Sequence, residues 1–204
     1  MIMNEFKQRA QELIEAGHHL FQLGLVPATS GNFSARLSDG TVAITVSGSH
    51  KGRLVEEDIM LVDMEGNSLD ERRPSAETLL HLQIYKRYEY ANVILHPHSV
   101  NATLLSRLCD ESVILQDYEL LKAFPDIDTH SCQVLVPIFD NDQNIARLAQ
   151  VVDTYLLDRE PAHGYLIRGH GFYAWGESME DAMRHVEAFE FLFECEIRLK
   201  ELAR

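Results

Sequence analysis

Across residues 33–46 the apolar side chains fall on every second position, on both sides of an Asp39-Gly40 pair. Phe33, Ala35 and Leu37 alternate with polar neighbours, and Val42, Ile44 and Val46 repeat the pattern after the pair. A period of two marks a strand buried on one face, and Asp-Gly is a favoured two-residue hairpin turn. This stretch commits part of the chain to an antiparallel sheet. The stretch before it has a different period. Phe6, Ala10, Leu13, Ile14, Gly17, Leu20 and Phe21 recur at three- and four-residue intervals. That spacing predicts a helix, with Asn4 as its cap and Gly24 and Pro27 as its stop.

The two periods keep exchanging along the chain. Short strands are predicted over 59–63, 93–96, 133–139, 164–167 and 172–175, and helices over 75–89 (capped by Ser75), 99–108, 118–124 and 142–157. A long last helix starts at Ser178, where Ser178-x-x-Asp181 resembles a capping box, and carries an apolar stripe of Ala182, Val186, Phe189, Phe193 and Ile197. The stripe and the nearby Trp175 suit a core, although Phe189, Phe191 and Phe193 could also serve an interface. Strands are interspersed with helices without strict βαβ alternation. The expected fold is a single mixed α/β domain over 1–204, with a largely antiparallel central sheet flanked by helices.

Charge narrows the partners. With a formal net charge of −14, the chain would repel nucleic acid and an anionic membrane. A small anionic substrate stays compatible, because a nest of backbone N–H groups can hold a phosphate inside an acidic protein. No apolar run is long enough to span a bilayer. The opening MIMNEFKQRAQELIEAG has no signal-peptide pattern. Cys109, Cys132 and Cys195 are odd in number and lack CxxC spacing, so a reduced, cytoplasmic setting with buried thiols is expected.

The chemistry gathers on histidines. His96-Pro97-His98 sits where a predicted strand meets a predicted helix. Imidazoles at i and i+2 of an extended segment point to the same side, and proline stiffens the pair. Catalytic zinc takes three protein ligands and keeps one position open. His170, between Gly169 and Gly171 in a tight turn, is the best third ligand. A lone HxH can equally be two ordinary residues. His18, His19, His50, His81, His130, His163 and His185 read as ordinary surface or core positions.

Two small-residue loops, Thr29-Ser30-Gly31-Asn32 and Ser47-Gly48-Ser49-His50-Lys51-Gly52, can aim N–H groups at a phosphate or can be plain turns. Lys51 could add a point charge. Glu77 falls in the first turn of its predicted helix, where the helix dipole alone favours a carboxylate. Glu119, in Tyr-Glu-Leu-Leu-Lys, fits a solvated helix face.

The ordered set TSGNFS, TVSGSHKG, RPSAE, HPHS and RGHGFYAWGES, followed by a long helix, resembles the class II aldolase/adducin family over nearly the whole chain. The resemblance implies a three-layer α/β fold and one zinc ion per subunit, held by His96, His98 and His170. It implies a phosphate site at Ser30, Gly31, Asn32, Ser47, Gly48, Lys51 and Ser75, with Ala76 replacing a second serine. It places a catalytic carboxylate at Glu77 in the aldolase branch and at Glu119, in LQDYELLKAF, in a dehydratase branch. SGSHKG, LQDYELLKAF and the GHGFYAWGESMEDAMRHVEAFEFLFE ending favour that branch. Its reaction is loss of water from 5-methylthioribulose 1-phosphate in methionine salvage. A sugar-phosphate aldolase, a pentulose-phosphate 4-epimerase or a non-catalytic adducin-like module are the alternatives. The family also implies a homotetramer with sites near subunit interfaces.

Overall fold

In the computed structural model, which describes residues 2–157, 159 and 162–203, the predicted hairpin seeds the sheet. β1 (Asn32–Arg36) and β2 (Val42–Thr45) pair antiparallel with Ala35 opposite Ala43. They are joined by β3 (Ile59–Val62), β4 (Val93–His96), β5 (Ser112–Gln116), β6 (Gln133–Phe139), β7 (Gly164–Ile167) and β8 (Phe172–Gly176). The order across the sheet is β3-β2-β1-β4-β8-β7-β6-β5, and every pairing is antiparallel except β6 with β7. The expectation of a largely antiparallel mixed α/β fold is met.

Alternation along the strands creates two cores. Phe33, Ala35, Val93, Leu95, Phe172 and Ala174 face one side, where α1 (Ile2–Gln22), α3 (Val100–Leu108) and α5 (Met179–Leu202) cover them. Val42, Ile44, Ile94, Tyr165, Tyr173 and Trp175 face the other side, under α2 (Thr78–Arg87) and α4 (Ile145–Leu156). Each large side chain removed from water contributes roughly 1.5–3 kcal/mol. The whole predicted stripe of α5 is buried, and so is Trp175, whereas Phe191 is exposed. Ser178 caps α5 by accepting from the Asp181 N–H at 3.1 Å.

Several predicted boundaries move. Asn4 lies inside α1 rather than capping it, because the helix already runs from Ile2. Phe21, expected on the core face, is exposed and meets the His50 ring edge-on. The second helix starts at Thr78 rather than after Ser75. The reason is strand-like pairing upstream: Pro74 bridges to Val46, and the Ser47 N–H donates to the Arg73 carbonyl at 3.1 Å. The chain stays extended through Pro74, turns over the next three residues, and leaves Glu77 at the N-cap position without a capping bond. Likewise 118–124 forms a 3-10 helix over Glu119–Ala123, and α4 begins at Ile145 behind the Asn144 cap. β5 falls where no strand is predicted. Among the described residues no helix is long and apolar enough to cross a membrane. The three cysteines are free and only partly buried, so the expectation of buried thiols is met in part.

Candidate metal centre and substrate cleft

Asn32 and His96 stand opposite each other at one end of the β1–β4 ladder. The chain beyond β4 carries Pro97 and His98, with the His98 N–H donating to the Leu25 carbonyl at 2.8 Å. The loop between β7 and β8 delivers His170. That loop is pinned to α3: the Gly169 N–H donates to Ser106 Oγ at 2.9 Å, and Thr103 Oγ1 donates to the His170 carbonyl at 3.0 Å. Gly171 lets the loop close against the His-Pro-His segment, since a Cβ there would lie 2.3 Å from the Pro97 carbonyl oxygen.

These elements bring four donors together. His96 Nε2 lies 2.9 Å from His98 Nε2 and 3.2 Å from Glu77 Oε2, and His170 Nε2 lies 3.5 Å from Glu77 Oε1. Ligand atoms of the four residues all fall within 4.8 Å of one another. His96 Nδ1 donates to the Phe172 carbonyl at 2.8 Å, which leaves Nε2 with its lone pair turned toward the others. A backbone acceptor on the far nitrogen is the usual orienting partner of a metal-bound imidazole. Two imidazole lone pairs this close repel unless a proton or a cation lies between them. Burial, with the neighbouring imidazoles, lowers the pKa of His98 and His170, so both favour the neutral form that metals require. Burial alone would raise the Glu77 carboxyl. The adjoining His96 and His170 rings and the hydrogen bond from the Asn32 amide outweigh it and hold that carboxyl below the usual range. Three nitrogens and one carboxylate oxygen form a donor set suited to zinc.

Beside the cluster lies a cleft of about 270 Å³, small-molecule in size. Gly31, Asn32, Ser47, Gly48, Lys51 and Ser75 line it, together with Glu77 and His170 of the cluster. The predicted loops therefore do converge on the metal-type cluster. Gly31 adopts φ +76°, and a Cβ there would come 2.7 Å from the His96 carbonyl oxygen. Lys51 is 2% exposed, and its Nζ donates to the Thr29 carbonyl at 3.1 Å and to the Ser49 carbonyl. Burial pushes its amine down to about 8, against the opposing charge of Asp58. Ser30 stands apart from the lining: its hydroxyl donates to the Pro27 carbonyl at 2.6 Å.

Glu119 does not join this group within the protomer. Its side chain is 73% exposed, pairs with Lys122 at 2.6 Å and lies 3.8 Å from His130. It follows β5, which is four strands away from β4 in the sheet. At about 4.8 Å per strand that is roughly 19 Å.

Other contributors escaped the sequence reading. Asn141 and Gln143 also line the cleft. Tyr173 stacks on His96 with ring centroids 4.0 Å apart. His81, read as ordinary, is fully buried, and its ring bonds to the Asn32 side chain. The signal for His81 is spacing: Glu77, at the N-cap of α2, and His81 and Tyr85 within it recur every four residues.

The profile of the Class II Aldolase and Adducin N-terminal domain matches residues 11–197. The chain is 61% identical, over 98% of both sequences, to a protein of Methylococcus capsulatus named methylthioribulose-1-phosphate dehydratase. It is 56% identical, over 96% of both, to one of the same name from Azotobacter vinelandii. Among solved structures, the L-fuculose-1-phosphate aldolase of Thermus thermophilus superposes with a TM-score of 0.78 at 26% identity, over 97% of this chain and 98% of that one.

Proposed function

The chain belongs to the class II aldolase and adducin family, and from that membership we propose that it is a zinc-dependent lyase that removes water from 5-methylthioribulose 1-phosphate. The observation that carries this reading is identity at 61% with a dehydratase along essentially its full length, joined to an intact His96, His98, His170 and Glu77 cluster. The cluster disfavours a non-catalytic adducin-like module, which has no use for four convergent metal donors. We place the enzyme in the cytoplasm, in methionine salvage, with a 2,3-diketo-5-methylthiopentyl phosphate as product.

His96, His98 and His170 would hold the zinc, one ion per subunit, and Glu77 would balance its charge. When bound, zinc supplies Lewis-acid polarisation of the substrate ketone. The proton on C3, next to that ketone, is then acidic enough for a carboxylate to remove. Glu119 takes it and returns it to the departing C4 hydroxyl, so the carboxylate ends each turnover ionised and one water is released. The N–H groups of the Gly31-Asn32 and Ser47-Gly48 loops, with Lys51 and Ser75, anchor the phosphate. That remote binding energy orients the reacting carbons.

A glutamate side chain cannot cross roughly four strand spacings. Glu119 therefore serves the cleft of a neighbouring copy, which makes a homotetramer with shared sites part of the proposal. Product analysis tests the chemistry. Incubation of the zinc-loaded protein with 5-methylthioribulose 1-phosphate should give a single diketone phosphate, lighter than substrate by one water. Two carbon fragments, or an epimer, would assign the chain to the aldolase or epimerase reading instead.

A further inference from the structure

A file of buried polar side chains runs from the sheet into the carboxylate of the metal cluster. Tyr85 OH lies 2.7 Å from Ser34 Oγ, and Ser34 Oγ lies 2.7 Å from His81 Nδ1. His81 Nε2 bonds to Asn32 Oδ1, and Asn32 Nδ2 donates to Glu77 Oε2 at 2.7 Å. Ser34 and His81 are 0% exposed, Tyr85 1% and Asn32 5%.

Two conditions, an ionised Glu77 and a neutral His81 ring, fix every direction in this file. An ionised carboxylate can only accept, so Asn32 must present its NH₂ to Glu77 and its carbonyl oxygen to His81. That oxygen also only accepts, so His81 must carry its proton on Nε2. The Nδ1 of a neutral ring then accepts, so the Ser34 hydroxyl must donate to it and in turn accept from Tyr85. Burial keeps His81 neutral, lowering its pKa to about 3. Tyr173 fixes the ring plane, meeting His81 edge-on at 5.5 Å while stacking on His96 at 4.0 Å.

We propose that His81 is a positioning residue of the active site: held in the Nε2–H tautomer by Ser34 and Tyr85, it locks the Asn32 amide so that its NH₂ faces Glu77. Without that donor the Asn32 amide can rotate by half a turn and set a carbonyl oxygen against the carboxylate. Glu77 would then leave the orientation that completes the donor set. The proposal deepens the metal-centre reading and rests on it. Partners of this kind typically change metal affinity or activity by about 10- to 100-fold.

The test compares the wild-type protein with His81→Leu, His81→Gln, Asn32→Ala and the double variant. Glutamine can place an amide N–H where His81 Nε2–H stands, so it should hold kcat and zinc affinity within about threefold of wild type. His81→Leu should lower zinc affinity, read by chelator competition, by about 10- to 100-fold. It should lower kcat with KM nearly unchanged. In the Asn32→Ala background the same leucine substitution should change neither quantity by more than about twofold, because the effect runs through Asn32. In the metal-free protein, ¹⁵N shifts of labelled histidine should show His81 protonated at Nε2 alone. An Nδ1–H tautomer, or an undiminished effect of His81→Leu beside Asn32→Ala, would overturn the proposal. If the leucine variant does not fold, the tautomer and the glutamine variant still decide. Both the tautomer and zinc affinity are independent of substrate, so a wrong substrate assignment would leave them intact.

Discussion

Gly171 packs so closely on Pro97 that a Cβ at the glycine would stand 2.3 Å from the proline carbonyl oxygen, and 3.0 Å and 3.1 Å from the rings of His98 and His96. The backbone of the third histidine's loop thus lies directly on the backbone of the first two. Gly171→Ala must push these segments apart. We expect zinc affinity to drop by about 10- to 100-fold and stability by about 1–3 kcal/mol. Chelator competition and urea denaturation of the metal-free protein measure the two effects. Unchanged zinc affinity would show that the close approach is incidental to the cluster.

Lys51 predicts a pH dependence. Its amine, pushed down to about 8 by burial, is cationic below that pH and neutral above it. A phosphate anchor of this kind holds substrate on the acid side and lets go as pH rises through about 8. The free-enzyme value appears in kcat/KM, so kcat/KM should fall above pH 8 while kcat changes little. Lys51→Met should lower kcat/KM at pH 7 and remove this limb of the profile. A limb that persists in the variant belongs to another group.

The two carboxylates should separate cleanly. Glu119→Gln should abolish turnover and leave zinc content normal, since Glu119 stands on a 3-10 helix outside the His96, His98 and His170 cluster. Mixing Glu119→Gln with His96→Ala subunits should restore about a quarter of wild-type activity, the share of heterologous interfaces where both intact residues meet. No recovery in demonstrably mixed oligomers would contradict the shared site.

Glu77→Gln should act on the metal instead. Its carboxylate touches His96 and His170 and accepts from Asn32. Removing the charge should weaken zinc binding by about 10- to 100-fold, measured by competition. Wild-type affinity would confine Glu77 to a role in the chemistry.

Much of this was legible in the sequence because it is local. The hairpin pattern gave β1 and β2, and His96, His98 and His170 stood out through Pro97 and the flanking glycines. The features missed depend on what lies across the sheet. β5 is an edge strand in which Val113 and Leu115 are buried while Ile114, apolar as well, faces out, so hydrophobicity does not alternate there. Glu77 could be named as an acid, but its place in the cluster depends on the Pro74–Val46 bridge that delays α2. His81 looked solitary because its partners, Ser34 and Asn32, lie more than forty residues away.

The most direct measurement is a zinc titration of the metal-free enzyme with dehydration of 5-methylthioribulose 1-phosphate as the readout. Negligible activity without metal, a linear rise to a plateau at about one zinc per chain, and no recovery in His96→Ala, His98→Ala or His170→Ala are expected. Full dehydratase activity in the metal-free protein, or in any of the three histidine variants, would contradict the zinc assignment.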